Sequence, residues 1–496
     1  MTTPAAPSAP AYPEKIDGAV LKIAGVVVLG AIMSILDITV VSVALPTFQE
    51  VFGATYATVA WTMTAYTLAL ATVIPLTGWA ADRFGTKRLY LAALFLFTAG
   101  SVLCAMASSI EMLIAFRVLQ GLGGGMLMPL GMTILTRAAG PDRIGRLMAV
   151  LGIPMLLGPI TGPILGGWLI DVASWHWIFL INLPIGLVAL LYASRVLPKD
   201  QPSETETFDF LGMLLLSPGL ALFLFGVSSI AESGEGASFG PRVWISATIG
   251  VLLVLAFVRH ALRTDKPLID LRLFRNRRLT IATVSMFVFI IAFMGAGLLF
   301  PSYFLQVRGE TTLAAGLLIA PQGLGAMLTM PIAGVLADRV PIGRTVPVAL
   351  LVMAAGFFVF TQVGADTSYL VLCGALFVMG LGMGGTMMPI MTSALKSLTS
   401  TEVARGSTLV NIVQQVGGSI GTAVLSVVLT NQLTSRVPGA ENPLEAMAAG
   451  FGATFTVAFV LVLLALIPVA FLPRKREESH LLDDVDGEAP APMLMH

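Results

Sequence analysis

Fourteen apolar stretches of about 20 residues follow one another along the chain, separated by short polar segments. A helix needs about 20 apolar residues to cross the hydrocarbon core of a bilayer. Only 11% of the residues are charged, against about 25% in soluble globular proteins. The sequence therefore predicts an all-α integral membrane protein whose fourteen transmembrane helices cover residues 22–45, 57–80, 89–107, 111–135, 145–170, 177–197, 209–229, 242–260, 280–302, 312–336, 345–363, 369–394, 405–429 and 447–472.

The lysines and arginines are divided unequally between alternate loops. If the N-terminus lies inside, 24 of them fall in inner segments, and Arg242, Arg308 and Arg436 fall in outer segments. Arg117 lies within a helix and completes the 28. Because basic residues are retained on the cytoplasmic side, this distribution predicts an even number of helices with both termini in the cytoplasm.

Three segments lie outside the apolar stretches. Residues 1–21 are rich in Ala and Pro, and residues 473–496 turn acidic after a short basic run, so we expect a disordered cytoplasmic leader and tail. Residues 264–279 mix leucines with arginines. This loop is either an amphipathic segment on the inner membrane surface or an ordinary basic loop.

The composition argues against several classes of function. The net charge is zero and the basic residues form no continuous face, which excludes nucleic acid as a main partner. The four histidines lie in loops or tails without metal-ligand spacing, so neither a metal site nor an enzyme is expected. A channel or a scaffold protein would not need an acidic residue within the membrane, which this chain has at Asp37.

Two segments of the chain repeat one another at an offset of 256 residues. Residues 75–88 read PLTGWAADRFGTKR and residues 331–344 read PIAGVLADRVPIGR. Each joins an outside-to-inside helix to its successor, so we expect two six-helix bundles in the same orientation. The predicted organisation is a leader over 1–21, a first bundle over 22–198, two inserted helices and a cytoplasmic loop over 199–279, a second bundle over 280–472 and a tail over 473–496.

These repeats and four further segments resemble signatures of the major facilitator superfamily, in particular its fourteen-helix drug:proton antiporter branch. Residues 78–88 are similar to the family's loop pattern G-x-x-x-D-R-x-G-x-[RK]-[RK]. The other matching segments are LDITVVSVALP at 36–46, RVLQG at 117–121, GPITGP at 158–163 and WHWIFLINLPIG at 175–186. The first of these departs from the branch at Ser42, where Asn is usual. The resemblance covers about residues 22–472 and implies two six-helix bundles plus two extra linker helices.

The resemblance also implies a function. It points to a proton-coupled antiporter that exports small amphipathic compounds, such as drugs, dyes and antibiotics, across the cytoplasmic membrane of a bacterium by alternating access. Its partners would be lipids, protons and the small-molecule substrate, with no cofactor besides the proton gradient, and a periplasmic or envelope accessory protein is left open. An exporter of an endogenous metabolite, peptide or lipid would use the same mechanism, and the sequence does not separate the two.

Asp37 and Arg117 are the two charges that the sequence places deep in the membrane. Ionisable residues there cost several kcal/mol, and they are by default paired and functional. Arg117 favours the ionised carboxylate whereas burial favours the neutral acid, so alternation between the two would load and release a proton. A static salt bridge that joins two helices is the alternative.

The repeated loop predicts a gating latch. In the family this cluster stabilises the outward-open state, and its carboxylates can also cap the following helix. A basic turn with helix capping is the simpler alternative. The predicted latch residues are Gly78, Asp82, Arg83, Gly85, Arg88, Asp338 and Arg339.

Glycines and prolines in the fifth membrane helix predict an antiporter hinge. Glycines every four residues share one helix face and allow close approach of another helix, while prolines remove backbone donors and bend the helix. We expect a close-packed pivot between the two bundles. The predicted hinge residues are Gly158, Pro159, Gly162, Pro163 and Gly166.

Substrate contacts are predicted from position in the inward-facing helices of such a fold. A cavity rich in methionine and aromatic residues favours loosely specified amphipathic ligands. Ordinary helix packing is the alternative for any single Met or aromatic residue. The predicted cavity residues are Trp61, Tyr66, Gln120, Met128, Tyr303, Phe304, Gln322, Asn411 and Gln414.

Overall fold

A computed structural model describes residues 17–139, 143–200, 208–232, 241–399 and 402–475. Within these ranges the regular structure is helical, with sixteen α-helices and one short 3₁₀ helix at Leu271–Arg275. The α-helices are α1 (Gly18–Phe52), α2 (Tyr56–Phe84), α3 (Thr86–Ala105), α4 (Ile110–Ala139), α5 (Ile144–Val172), α6 (Trp177–Leu180), α7 (Asn182–Val196), α8 (Phe210–Glu232), α9 (Pro241–Ala261), α10 (Arg277–Gln306), α11 (Thr312–Arg339), α12 (Ile342–Phe360), α13 (Tyr369–Gly384), α14 (Met387–Lys396), α15 (Val403–Arg436) and α16 (Pro443–Val469).

The all-α prediction is confirmed, and each of the fourteen apolar windows coincides with a helix or a helix pair. Thirteen helical segments of the described residues are long and apolar enough to cross a membrane, counting α6 with α7 and α13 with α14 as one segment each. The remaining window, 145–170, lies in α5, a helix of 29 residues.

The first helix begins earlier than expected. It starts at Gly18, because the side chain of Asp17 caps it by accepting a hydrogen bond from the backbone N–H of Val20 at 2.8 Å. The predicted leader therefore ends before residue 17. Residues 1–16 of that leader and residues 476–496 of the tail lie outside the described part of the chain.

Successive membrane-spanning segments run in opposite directions, so their ends lie on two opposite faces of the protein. On one of them, which we call the basic face, Arg137 at the end of α4 donates from Nη1 to the hydroxyl of Thr86 at 2.9 Å. Arg308 lies on the opposite face, where its Nε is 3.3 Å from the hydroxyl of Tyr369. Arg308 is a residue that the charge distribution predicts on the outer side.

Two groups of helices pack against each other. Helices α1–α7 pack mainly on one another and form the first bundle, and α10–α16 do the same and form the second bundle. The most extensive contacts between the bundles join α5 to α11 and α2 to α15. We call these two contacts the α5–α11 seam and the α2–α15 seam.

The two inserted helices form a hairpin beside one seam. Helix α8 packs on α9 and also on both α2 and α15, so it lies along the α2–α15 seam. A separate buried apolar cluster joins these elements and includes Ile74 of α2, Leu220 of α8, Phe257 of α9 and Leu409 of α15. Because lipid tails are as apolar as these side chains, close van der Waals packing stabilises this contact within the membrane.

The loop after α9 joins the same cluster. Leu268, Ile269 and Leu273 are buried within the protein, so the apolar side of this segment packs on helices. The protein itself covers part of the apolar side chains that an amphipathic segment would place in the lipid, and the location of this loop on the inner membrane surface stays a prediction.

Asp209 fixes this loop to the hairpin. Its carboxylate accepts from the backbone N–H of Gly212 at 2.8 Å and of Leu268 at 3.0 Å, and it contacts His260 Nε2 at 2.8 Å. Burial raises the pKa of Asp209, but the hydrogen bonds from Gly212, His260 and Leu268 outweigh it and hold that pKa below its usual value.

Large apolar side chains cover much of the outer surface. On α9, Trp244, Leu252 and Leu255 are each about 60% exposed, and on α11 the same holds for Leu328 and Ile332. Soluble monomers rarely expose contiguous apolar surface of this extent. These side chains are therefore lipid contacts.

Candidate functional site

Asp37 lies in the middle of α1 and is enclosed by the first bundle. It is 2% exposed, and its partner Arg117 on α4 is completely buried. Arg117 Nη1 donates to Asp37 Oδ2 in a direct salt bridge. The predicted pairing of the two intramembrane charges is therefore present in the structure.

Two amide side chains complete the surroundings of the Asp37 carboxylate. Gln120, one turn after Arg117, donates from Nε2 to Asp37 Oδ1 at 2.8 Å. Asn182 at the start of α7 places its Nδ2 at 3.5 Å from the same oxygen. The carboxylate is thus faced by three donors from two helices of the first bundle other than its own.

Arg117 is held from several sides. Its Nε donates to the backbone carbonyl of Thr62 at 3.0 Å, and Nη1 donates to Gln120 Oε1 at 2.8 Å. The guanidinium carbon lies 4.1 Å from the ring centroid of Tyr66, within the range of a cation–π contact. Nη2 has no hydrogen-bond partner among the described residues, so the guanidinium keeps spare donor capacity.

Glycines bring the surrounding helices together. A Cβ on Gly121 would lie 2.5 Å from the backbone oxygen of Tyr66, and one on Gly100 would lie 2.8 Å from the backbone of Gln120. Only a residue without a side chain fits at these two positions. The close approach of α2, α3 and α4 is what removes water from the charged pair.

Two predicted cavity residues belong to this charged network. Gln120 is fully buried and bridges Asp37 and Arg117, and Tyr66 lies under the guanidinium with its hydroxyl 3.3 Å from Ser34 Oγ. The sequence placed both in a substrate cavity because their helices face inward. In this structure they are used to enclose the ion pair.

Three further predicted cavity residues have their observed contacts elsewhere in the helix packing, and their role in substrate binding stays a prediction. Trp61 stacks on Phe225 of α8 at a centroid distance of 5.5 Å, so it faces an inserted helix. Tyr303 and Phe304 are fully buried in the packing of the second bundle. The Tyr303 hydroxyl donates to the carbonyl of Gly364 at 2.7 Å, near the outer ends of α10 and α12.

Of the remaining cavity candidates, Asn411 contacts the other bundle. Asn411 of α15 donates from Nδ2 to the sulfur of Met132 on α4 at 2.9 Å, which is a contact between bundles. Gln414 lies one turn further along α15, with its Nε2 3.7 Å from the sulfur of Met391. Met128 and Gln322 are both partly buried.

The first latch segment makes contact with the second bundle. Asp82 Oδ1 is 3.5 Å from Arg137 Nη2, and Oδ2 is 3.7 Å from Arg405 Nε of α15. A Cβ on Gly78 would lie 3.1–3.2 Å from Thr408 Oγ1 and the Arg405 backbone. Gly78 and Asp82 therefore both lie on the α2–α15 seam.

Capping of α3 differs from the expectation. The backbone N–H groups of Lys87 and Arg88 donate to the carboxylate of Asp200 at 2.7 and 3.0 Å, so Asp82 is not the cap. Gly85 has a φ of 93°, and a Cβ there would lie 2.2 Å from Asp200, which explains the glycine.

The second latch segment corresponds to the first in one respect, because its repeat glycine also lies on a contact between the bundles. A Cβ on Gly334, the repeat partner of Gly78, would lie 2.8 Å from the carbonyl oxygen of Gly145 on α5. The two repeat glycines thus mark the two seams, one each. Arg83, Arg88 and Arg339 are exposed. The side chain of Asp338 lies outside the described part of the structure.

The predicted hinge glycines do not face the other bundle. Added Cβ atoms on Gly158, Gly162 and Gly166 would meet Ile35, Thr39 and Val40, all of α1. The expected pivot between the bundles is therefore wrong for this face, since the four-residue spacing identifies a face of α5 but not its partner. The side chains of Pro159 and Pro163 lie outside the described part.

Four residues of these contacts were not predicted as site residues. Thr62, Ser101 and Asn182 contribute to the charged network, and Arg405 meets Asp82. Asn182 lies in the matched segment 175–186, which was the available signal for it. Within the described residues no group of three or more His, Cys, Asp or Glu side chains is placed to hold a metal ion.

Comparison with known proteins places this geometry in a family. Residues 27–422 match the family model described as Major Facilitator Superfamily. The chain is 49% identical over 503 aligned residues to the Multidrug resistance protein B homolog of Mycobacterium tuberculosis, covering 95% of this chain and 93% of that protein. It is 32% identical over 454 residues to the Multidrug export protein EmrB of Haemophilus influenzae, covering 90% and 88%.

Solved structures share the fold at low identity. The human organic anion transporter MFSD10 superimposes with a TM-score of 0.61 at 18% identity, over 91% of this chain and all of that one (100%). The proton:xylose symporter XylE gives the same TM-score of 0.61 at 15% identity, over 94% and 98%. The helical architecture, the family model and the similar proteins agree: this chain is a multi-pass membrane transporter and belongs to the major facilitator superfamily.

Proposed function

We propose that the protein is a proton-coupled antiporter that exports small amphipathic compounds, including drugs, dyes and antibiotics, across a bacterial cytoplasmic membrane. The observation that carries the proposal is the buried Asp37–Arg117 pair with its amide neighbours. A buried acid beside a fixed cation and neutral donors can exist in two protonation states without being exposed to bulk water. The names of the similar multidrug proteins support the substrate class.

The contacts between the bundles support alternating access. At the basic face, Gly78 and Asp82 contact α15, and Gly334 contacts α5. We assign this arrangement to the state that is closed on the cytoplasmic side, with the basic face in the cytoplasm. Loss of these contacts at the basic face would open the central space to the cytoplasm. The latch residues would then set the balance between the two states.

A single titrating carboxylate supplies enough energy for uphill export. One proton that moves down about 100 mV releases about 2.3 kcal/mol, and each unit of pH difference adds about 1.4 kcal/mol. A total of about 4 kcal/mol sustains roughly a thousandfold gradient of a neutral compound. Asp37 can therefore couple export without a second acid.

Inverted membrane vesicles test the proposal. With an imposed proton gradient, the wild type should accumulate a fluorescent amphipathic dye, and Asp37→Asn should not, while equilibrium dye binding survives. Asp171→Asn, which changes an exposed acid at the far end of α5, is the matched control and should transport normally.

Two results would contradict this mechanism. Accumulation by Asp37→Asn at the wild-type level would show that the proton is carried elsewhere. A lowered melting temperature in Asp37→Asn with coupling intact would show that the ion pair only joins α1 to α4.

A further inference from the structure

A side chain from outside α1 and α4 reaches the carboxylate of Asp37. Asn182 begins α7 directly after the short α6 and is 2% exposed. Its Nδ2 lies 3.0 Å from Ser101 Oγ and 3.5 Å from Asp37 Oδ1. We propose that Asn182 is a positioning residue of the coupling site, whose amide sets the pH at which Asp37 takes up its proton. The inference rests on the proposed proton coupling.

The fold holds Asn182 in place through α3. One turn further along α7, a Cβ on Gly186 would lie 2.1 Å from Thr98 Oγ1, so α7 lies directly on α3. Ser101, one turn after Thr98, donates to the carbonyl of Phe179 at 2.9 Å. The Ser101 hydroxyl proton is thus committed to Phe179, and its oxygen accepts one hydrogen of the Asn182 amide. The second amide hydrogen is available to Asp37.

The donors divide between the two oxygens of Asp37. Arg117 donates to Oδ2, while Gln120 and Asn182 both face Oδ1. The oxygen of the Gln120 amide already accepts from Arg117 Nη1 and lies 3.5 Å from Cys104 Sγ, so this amide is fixed in one orientation. Asn182 is therefore the second amide at Oδ1, and it is held by Ser101 of α3 and not by Arg117.

The Asn182 amide acts differently on the two protonation states of Asp37. With Asp37 ionised, the Asn182 N–H group stabilises the negative charge. When a proton binds to Asp37 Oδ1, that oxygen becomes a donor, and Asn182 could accept from it only by turning its carbonyl toward Ser101 Oγ and losing its hydrogen bond to Ser101. The proton adds to one oxygen and no other covalent bond changes. Asn182 therefore favours the ionised state of Asp37 over the protonated state, without titrating itself.

The pH dependence of proton-driven dye export in inverted vesicles tests this role. Asn182→Leu keeps the branched shape, with a larger volume, but removes the donor, so Asp37 should hold its proton more tightly. The pH of half-maximal export should rise by about one unit, which corresponds to roughly 1.4 kcal/mol. Ser194→Ala removes an exposed hydroxyl from α7 itself, where it donates to the carbonyl of Leu191 in the same helix, and should leave that pH unchanged.

A second variant and a second measurement keep the proposal testable if Asn182→Leu fails to fold or to transport. Asn182→Asp has the shape of the natural residue but brings a second acid to Asp37, so it should raise the same midpoint further. If a variant inserts but does not transport, pH titration of the protonated-carboxyl infrared band of the purified protein gives the midpoint, with Asp37→Asn as the blank.

The outcomes separate the two proposals. A proton dependence that is lost in Asp37→Asn but has the wild-type midpoint in both Asn182 variants overturns the role of Asn182 alone. A wild type without any proton dependence overturns the antiport mechanism, and the role of Asn182 with it. An upward shift in both variants, absent in Ser194→Ala, supports the inference.

Discussion

Replacement of Gly334 by alanine should open the basic face of the transporter. A Cβ at this position would lie 2.8 Å from the carbonyl oxygen of Gly145, 3.0 Å from Ala149 Cβ and 3.2 Å from Arg146 Cα, all on α5. Ordinary contact begins at 3.4 Å, so α5 and α11 would have to separate by about 0.6 Å along the shortest of these directions. Two of the three opposing atoms are backbone, which cannot rotate away.

The size of the expected shift in the open-to-closed ratio depends on which conformational state carries the strain. Overpacking of this kind costs about 1–3 kcal/mol, and it acts only in the state in which the α5–α11 seam is closed. The higher helix propensity of alanine, about 1 kcal/mol over glycine, acts in both states and cancels. The ratio of open to closed molecules should therefore rise by about 5-fold to 150-fold.

Distances between spin labels measure this shift. Labels at the exposed residues Lys199 and Lys475 report on the separation of the bundles at the basic face, with Cys104 and Cys373 replaced by alanine. Gly334→Ala should move the distribution to longer distances.

The matched control lies in the same helix. A Cβ on Gly316 of α11 would meet nothing within 4 Å, so Gly316→Ala should leave the distances unchanged. Gly78→Ala should have a smaller effect than Gly334→Ala, since its closest contact is 3.1 Å to a side-chain hydroxyl. A Gly334→Ala distribution identical to that of Gly316→Ala would refute the assignment of this seam to the closed state.

Three further outcomes are expected. Asp82→Asn should open the basic face less than Gly334→Ala, since its ion pairs of 3.5 and 3.7 Å are partly exposed and each is worth about 0–1 kcal/mol; the same spin-label distances check it. Asp209→Asn should lower the melting temperature at neutral pH, and the difference from wild type should vanish as pH falls below about 4, because a lowered pKa stabilises the fold only while the acid is ionised. A thiol reagent should label a cysteine at Thr55 from outside intact cells, and a cysteine at Thr86 only after permeabilisation.

The sequence predicted those features that the lipid environment requires of any membrane protein, namely the helices and the pairing of buried charges. Apolar length determined the helices, because no other regular element can satisfy its backbone alone in lipid. The pairing of Asp37 with Arg117 was predictable for a similar reason, since each charge within the membrane requires a partner and the sequence offers one of each sign.

Features that depend on which faces meet could not be predicted in this way. The spacing of Gly158, Gly162 and Gly166 defines a face of α5, but α1 and α11 are equally plausible partners for it until the bundle is assembled. Asp200 caps α3 across 113 residues of sequence, and no local pattern marks it. Trp61 was assigned to a cavity from its position in an inward-facing helix, and no sequence pattern indicates that it stacks on Phe225 of the inserted α8.

The position of the α8–α9 hairpin gives the molecule two unlike sides within the plane of the membrane. Along the α2–α15 seam, α8 and its apolar cluster separate the junction of the bundles from the surrounding lipid. Along the α5–α11 seam, α8 and α9 make no comparable packing contact with the two helices among the residues that the structure describes. A hydrophobic compound that diffuses within the bilayer therefore encounters the junction directly from one direction and meets a protein wall from the other.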